Sequence, residues 1–175
     1  MKKTKNKPFV KIYPVCDIEI YTDGSCVNNG YKDSYGSFGF VILKNKEILH
    51  EYAEFRTGIT SNQAEMLGII HSLQWMIDNN LQDFSILVKS DSSYCVNGIN
   101  SWIHKWKENN WNGGWVANKE LWQDMDYVRR QLDVQFRTVK GHNGEEWNEY
   151  VDMLCTGAVN KEGAMSFEEM RGDYK

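Results

Sequence analysis

The chain has 175 residues, of which 41% are hydrophobic and 25% charged, and its net charge is −4. These values fit one globular domain with a real core, and the mild acidity argues against indiscriminate binding of nucleic acid through excess Lys and Arg. No apolar run is long enough to cross a membrane, and no apolar stretch follows the N-terminal lysines, so we expect a cytoplasmic protein without a secretory signal.

Three strands are predicted at the start of the domain. Alternating apolar and polar side chains begin at Ile18, and this first strand is expected to end at residues 23–25. Two further strands, 37–43 and 48–55, flank a polar turn at 45–47 and predict a hairpin. Together the three strands predict an antiparallel meander.

Helices and strands alternate after the meander. In chain order we predict a helix (63–77), a strand (84–90), short helical segments (92–108), a helix (119–132), a strand (134–138) and a helix (145–159). Strands separated by helices imply parallel crossovers, so the predicted fold is α/β, a five-stranded mixed sheet with helices packed against it. We expect one domain over 15–160, a basic tail over 1–14 and a C-terminal tail without periodicity over 161–175.

Four carboxylates lie at positions where a shared site is expected. Asp23 and Asp91 end predicted strands, Glu65 lies in the first turn of a helix, and Asp152 borders the apolar face of the last helix. Clustered carboxylates resist joint ionisation unless a hard dication such as Mg²⁺ binds their oxygens. Two such ions roughly 4 Å apart stabilise in-line phosphoryl displacement, so the pattern predicts hydrolysis of a phosphodiester.

Each carboxylate also has an ordinary structural explanation. Glu65 can complete a helix capping box with Asn62, and Asp91 can be a helix N-cap. Asp23 precedes residues typical of turns, and Asp152 can be a solvated helix residue. The joint placement of all four, rather than any one of them, favours a metal site.

Four short segments give the chain a family resemblance. They read YTDGSC (21–26), TSNQAE (60–65), SDSSY (90–94) and VKGHNG (139–144), and Asn148 and Asp152 follow them. In this order and spacing they resemble type 1 ribonuclease H over residues 15–159. The resemblance implies the ribonuclease H-like fold and a catalytic domain over 15–160.

The same resemblance implies the catalytic groups. The four carboxylates would hold two Mg²⁺ ions, with Mn²⁺ as an expected substitute, and His142 would serve proton transfer or product release. His142 lies between glycines in a predicted loop, and histidine is the residue type suited to proton transfer near neutral pH, although an exposed loop histidine is the alternative. Asn148, one helical turn before Asp152, is expected to orient it.

Contacts to nucleic acid are also implied by the resemblance. The RNA side of the minor groove would be read by Asn29, Ser61 and Asn62, where the 2′-hydroxyl separates RNA from DNA. A DNA phosphate would be held by Thr60 and Asn118, and deoxyriboses by an aromatic channel of Tyr94, Trp102 and Trp106.

The aromatic channel has a competing interpretation. Trp102 and Trp106 are four residues apart, so they can form one apolar helix face that packs in the core. Lys105 and Lys107 flank Trp106 and favour the channel for this residue.

Two departures from the family pattern concern charge. Gly58 stands where the family often has an arginine of the phosphate pocket, and Arg56 is out of register with it. The segment matching the family's basic protrusion, 105–115, has only two lysines, opposed by Glu108. We therefore expect affinity to depend more on aromatic contact than on charge.

The resemblance implies an endonuclease that cuts the RNA strand of an RNA–DNA hybrid, leaving 5′-phosphate and 3′-hydroxyl ends. We expect it to act as a monomer. One alternative is a nuclease of the same fold that acts on another nucleic acid, and a second is a non-catalytic binding module. The acidic cluster argues against the module, and the predicted 2′-hydroxyl contacts argue against the other nuclease.

Overall fold

The computed structural model describes residues 15–140 and 145–172, with side chains as far as residue 162. The strands are β1 (Ile18–Val27), β2 (Tyr35–Lys44), β3 (Glu47–Thr57), β4 (Ser85–Ser90) and β5 (Asp133–Thr138). The helices are α1 (Ser61–Asp78), α2 (Ser93–Asn97), a π-helical stretch (Gly98–Trp102), α3 (Ile103–Glu108), the single turn α4 (Asn110–Gly113), α5 (Lys119–Arg129) and α6 (Glu146–Gly172).

The strands form one mixed sheet in the order β3-β2-β1-β4-β5. β1, β2 and β3 are antiparallel neighbours, whereas β4 pairs in parallel with both β1 and β5. The β2–β3 turn is tight, because Asn45 and Lys46 adopt positive φ values of 52° and 63°. The predicted α/β fold with a five-stranded mixed sheet and three antiparallel leading strands is confirmed.

Helices cover both faces of the sheet. On one face α1 and the later short helices enclose the larger core, in which Trp122 is fully buried. On the other face α6 packs Val151 and Cys155 against Tyr21 and Val41. The sheet edge that carries the functional residues therefore lies between two packed layers.

Three predicted boundaries were wrong, among them the end of α5, which is Arg129 rather than residue 132. β1 does not end at 23–25 but runs to Val27, because β2 pairs with it along its whole length, with Asp23 opposite Gly39. The last helix was expected to end at residue 159, yet α6 continues to Gly172. Its continuation, 160–172, contains three Glu and two Met, which have high helix propensity, but no apolar stripe.

Among the described residues, no helix combines the length and apolar character needed to span a membrane.

Candidate metal and nucleic-acid site

Strand register brings two of the four carboxylates side by side. β1 and β4 are parallel, and Thr22 pairs with Ser90, so Asp23 in β1 lies beside Asp91, the first residue after β4. Asp23 is almost fully buried, with 7% of its surface exposed. Its Oδ1 accepts a hydrogen bond of 2.9 Å from the backbone N–H of Gly24.

A glycine allows the third carboxylate to approach. A Cβ atom on Gly24 would lie 2.4 Å from the backbone nitrogen of Glu65, so any side chain there would push α1 away from β1. With α1 this close, one carboxylate oxygen from each of Asp23, Glu65 and Asp91 lies within 4.8 Å of the others. Three oxygen ligands at this spacing fit a hard dication.

The electrostatics of this cluster disfavour joint ionisation of its carboxylates. Burial, together with the charge of Asp91, raises the pKa of Asp23 from 3.8 to about 7. Burial and the charges of Asp23 and Asp91 hold the pKa of Glu65 well above its ordinary value. Oε2 of Glu65 is buried and has no hydrogen-bond partner among the described residues. A bound dication would give this oxygen a partner and remove the repulsion.

The fourth carboxylate comes from α6 and lies next to Asp23. The carboxyl groups of Asp152 and Asp23 are close enough to share a hydrogen bond. Asn148, one turn earlier, is buried, and its Oδ1 has no hydrogen-bond partner within the described part of the chain. The structure thus places Asp152 at the cluster, and the orienting role of Asn148 stays a prediction.

The ordinary structural explanations for three carboxylates are wrong. The capping box of α1 is formed by Thr60 and Gln63, so Glu65 is not part of it. The N-cap of α2 is Ser92, whose side chain accepts from the backbone of Cys95, so Asp91 has no capping role. Asp23 lies within a paired strand rather than in a turn.

Residues predicted to read RNA meet at the start of α1. Oδ1 of Asn29 accepts a 3.0 Å hydrogen bond from the backbone N–H of Ser61, which joins the loop after β1 to this helix. Asn62 is the next residue and is exposed. The structure brings these three residues together on one surface.

The predicted phosphate pocket is connected through a residue that sequence reasoning missed. The Thr60 backbone N–H donates to Oε1 of Gln63 at 3.0 Å, and Nε2 of Gln63 donates to Oδ1 of Asn118 at 3.2 Å. The pattern T-x-x-Q, typical of a capping box, is the signal that could have identified Gln63. Thr60 and Asn118 are thus held near each other through one amide.

Aromatic rings form a continuous cluster beside the pocket. The centroid distances are 5.9 Å for Tyr94–Trp102, 6.0 Å for Trp102–Trp106 and 5.4 Å for Trp106–Trp122. Trp102 has 39% of its surface exposed, whereas Trp106 packs against the core and is only partly accessible. The three predicted channel residues are adjacent, and Trp102 rather than Trp106 presents the more open ring.

The structure shows the surroundings of the two regions, around Gly58 and over 105–115, that carry less positive charge than the family pattern. Gly58 adopts a φ of 63°, which favours glycine, and a Cβ there would meet no atom within 4 Å. Arg56 pairs with Glu54 on its own strand at 3.2 Å. In the 105–115 segment, Nζ of Lys107 lies 3.0 Å from the buried carboxylate of Asp126. These ion pairs reduce the charge that either region offers to a polyanion.

His142, the predicted proton-transfer residue, lies outside the described residues, and its role stays a prediction.

Known proteins show the same pattern along nearly the whole domain. The sequence model of the RNase H family matches residues 16–160. A ribonuclease H of Clostridium botulinum strain Hall is 34% identical over 146 residues, which cover 81% of this chain and 95% of that protein. A ribonuclease H of Chromobacterium violaceum is 36% identical over 146 residues, with coverage of 81% and 94%.

Solved structures agree with this fold. LC9-RNase H1, described as a type 1 RNase H with the type 2 active-site motif, superimposes with a TM-score of 0.74 at 25% identity, over 85% of this chain and 74% of that one. LC11-RNase H1, solved in complex with an RNA/DNA hybrid, gives a TM-score of 0.63 at 23% identity, over 83% and 98%. The second likeness concerns the fold alone.

The fold is ribonuclease H-like. The chain belongs to the ribonuclease H family, and the predicted resemblance to type 1 ribonuclease H is confirmed.

Proposed function

We propose that this protein is a Mg²⁺-dependent endonuclease that hydrolyses the RNA strand of RNA–DNA hybrids and leaves 5′-phosphate and 3′-hydroxyl ends. The observation that carries the proposal is the convergence of Asp23, Glu65 and Asp91 within 4.8 Å, with a buried Glu65 oxygen that lacks a partner. The named relatives, all ribonucleases H, support nuclease activity.

The residues present fit a pair of hard dications. Asp23, Glu65 and Asp91 supply only oxygen ligands, and Asp152 borders them through Asp23. When bound, the ions would neutralise charge at the scissile phosphate, which is the main demand of phosphodiester hydrolysis. Mn²⁺ is expected to substitute, since it also accepts carboxylate ligands.

The chain's own groups would position the substrate. Asn29 and Ser61 form one surface at the start of α1, where they would contact 2′-hydroxyls and base edges. Across the site, Thr60 and Asn118 would hold a DNA phosphate, and the exposed ring of Trp102 would contact deoxyribose. His142 would accept or donate a proton near the cluster.

Matched duplexes test this function directly. Purified protein is incubated with RNA–DNA, RNA–RNA and DNA–DNA duplexes of one sequence, with Mg²⁺ or with chelator. We expect cleavage of the RNA strand of the hybrid alone, only with Mg²⁺, and Asp91→Asn should abolish it because a metal ligand is lost. Cleavage of DNA–DNA would indicate the alternative nuclease, and binding of the hybrid without any cleavage would indicate the non-catalytic module.

The contribution of His142 needs its own variant. His142→Ala should slow turnover without abolishing it, because general acid–base groups contribute about 10²–10⁴-fold. A pH–rate profile is the measurement. An unchanged rate at every pH would exclude His142 from the reaction.

A further inference from the structure

A directional chain of hydrogen bonds links the start of α1 to the aromatic cluster. It runs from the backbone N–H of Thr60 through the Gln63 and Asn118 amides to the hydroxyl of Tyr94. The indole Nε1 of Trp122 donates to the same hydroxyl at 3.3 Å. The bond between Thr60 and Gln63 belongs to the capping box of α1. The other bonds join residues that are distant in sequence.

The direction of this chain is fixed at both ends. A backbone N–H can only donate, so Oε1 of Gln63 must face Thr60, and its NH₂ group must face Asn118. Asn118 then accepts with Oδ1 and donates Nδ2 to Tyr94 Oη at 3.2 Å. Indole nitrogen is also only a donor, so Tyr94 Oη accepts at least the bond from Trp122 under any amide assignment.

Tyr94 therefore has no free acceptor site. A tyrosine hydroxyl offers two lone pairs and one proton, and both lone pairs are engaged by Asn118 and Trp122. Its proton must point to an acceptor outside this network. The Tyr94 side chain is partly exposed, and its partner Asn118 lines an open cavity of about 460 Å³ together with Gln63, Lys119 and Glu120.

Asn118 is committed to this network rather than to its own helix. It precedes α5 with a left-handed φ of 57°, and its side chain makes no capping hydrogen bond. Asparagine tolerates this conformation better than most residues. Gln63 therefore fixes the orientation of the Asn118 amide, and this orientation determines that the NH₂ group of Asn118 faces Tyr94.

We infer that Gln63 is a positioning residue that makes the Tyr94 hydroxyl an obligate hydrogen-bond donor to an anionic backbone oxygen of the bound nucleic acid. The inference rests on the proposed function, since the acceptor is the hybrid substrate. An anionic oxygen is the acceptor that fits, because a hydroxyl donates a stronger hydrogen bond to a charged oxygen than to a neutral one, while the charges of Lys119 and Glu120 in the cavity offset each other. Tyr94 would contact substrate, while Gln63 acts through Asn118 and Tyr94.

Reversing the chain with one isosteric substitution is the test. In Gln63→Glu both side-chain oxygens accept, so Asn118 must turn its amide and present Oδ1 to Tyr94. The Tyr94 hydroxyl then donates to Oδ1 of Asn118 and can no longer donate to the substrate. Glutamate is the preferred residue at this position of a capping box, so α1 should remain intact.

The readout is a double-mutant cycle on steady-state cleavage of an RNA–DNA hybrid. Tyr94→Phe should raise KM about tenfold and leave kcat within about twofold, as expected for loss of one hydrogen bond to a charged acceptor. Gln63→Glu should raise KM at least as much. In the Gln63→Glu background, Tyr94→Phe should change KM by less than about twofold.

Two controls separate this network from charge and from folding. Gln82→Glu introduces the same charge at a position after α1 and should leave KM unchanged. The melting temperatures of Gln63→Glu and Gln82→Glu should remain close to that of the wild type, whereas Tyr94→Phe should lower it, because the buried Nε1 of Trp122 loses its acceptor. A neutral methylphosphonate at one position of the DNA strand should abolish the difference in KM between the wild type and Tyr94→Phe, which identifies a phosphate oxygen as the acceptor.

The inference is overturned if Tyr94→Phe raises KM by the same factor in both backgrounds, or leaves it unchanged in the wild type. Failure of the proposed function would look different, because the wild-type protein would then not cleave the hybrid at all.

Discussion

At the scale of single residues, the free energy of the acidic cluster depends on pH. In the metal-free protein the pKa of Asp23 is about 7, above its ordinary value of 3.8, because of burial and the charge of Asp91. Between these pH values the folded protein binds more protons than the unfolded chain, so stability falls as pH rises from about 4 to about 7. The cluster thus weakens the fold at neutral pH until a dication binds.

Asp23→Asn is therefore expected to stabilise the protein when metal is absent. The rise of the pKa from 3.8 to about 7 corresponds to at most about 4 kcal/mol at pH 8, and the difference should vanish near pH 4. Denaturant unfolding with chelator measures this difference, and Asp124→Asn, at an exposed position in α5, should change nothing. If Asp23→Asn destabilised the protein at pH 8 with chelator, the electrostatic argument would fail.

Gly24 is a second residue on which the site depends. A methyl group there would lie 2.5 Å from the carbonyl carbon of Ala64, so Gly24→Ala must displace α1 from β1. We expect a loss of about 1–3 kcal/mol in unfolding free energy, and cleavage should fall further than stability does, because Glu65 moves with the helix. Urea denaturation and initial rates give the two values.

Gly157→Ala is the matched control for this substitution. Gly157 lies in α6, where an added Cβ meets nothing within 4 Å, so alanine should stabilise the helix by about 0.5–1 kcal/mol. Equal effects of alanine at both positions would show that close packing at Gly24 is unimportant.

At the scale of elements, one buried aspartate joins α3 to α5. Asp126 is 4% exposed, and its side chain accepts hydrogen bonds from Lys107 at 3.0 Å and from Arg129 at 2.7 Å. Burial alone would raise the pKa of Asp126, but the hydrogen bonds from Lys107 and Arg129 outweigh it and lower the pKa. The network holds the 105–115 segment against the body of the protein.

Asp126→Asn should cost about 2 kcal/mol of unfolding free energy at pH 7, the size expected for hydrogen bonds between charged groups in part exposed to solvent. Because the folded pKa is lowered, this contribution is present above pH 3.8 and should disappear as pH falls below that value. Urea titrations of Asp126→Asn and Asp124→Asn, at pH 7 and at a pH below 3.8, compare a buried with an exposed carboxylate on one helix. If both variants lost the same unfolding free energy at pH 7, the Asp126 network would not contribute to the stability of α3.

Elements whose sequence pattern is local were predicted correctly, whereas a boundary set by tertiary pairing was not. Periodicity predicted α1 and the β2–β3 hairpin, because both patterns are local to the segments that form them. It placed the end of β1 too early, since the turn-like Asp23-Gly24-Ser25 is held extended by pairing with β2. This pairing is a tertiary effect that the local sequence does not contain.

At the scale of the whole molecule, the candidate site was predictable in its residues but not in its connections. The carboxylates were predicted from expected element ends and from the family resemblance, and the structure brings Asp23, Glu65 and Asp91 together although Asp23 lies within β1 rather than at its end. Gln63 and Trp122 join the network around Tyr94 only through distant contacts, across sequence separations that no local pattern spans. The charge available to a substrate likewise depends on which lysines already have partners.

Salt dependence of binding should reveal this distribution of charge. The net charge is −4, and Lys107 is paired with Asp126, whereas Lys119 lines the cavity beside Asn118. We expect log KM for the hybrid to rise with log salt concentration with a slope below about 5, less than for proteins that make about 6–10 phosphate contacts. Lys119→Ala should lower this slope by about 1, and Lys107→Ala should leave it unchanged although it destabilises the fold. An equal decrease for both lysine variants, measured at a temperature where each is folded, would mean that Lys107 leaves Asp126 to contact the substrate.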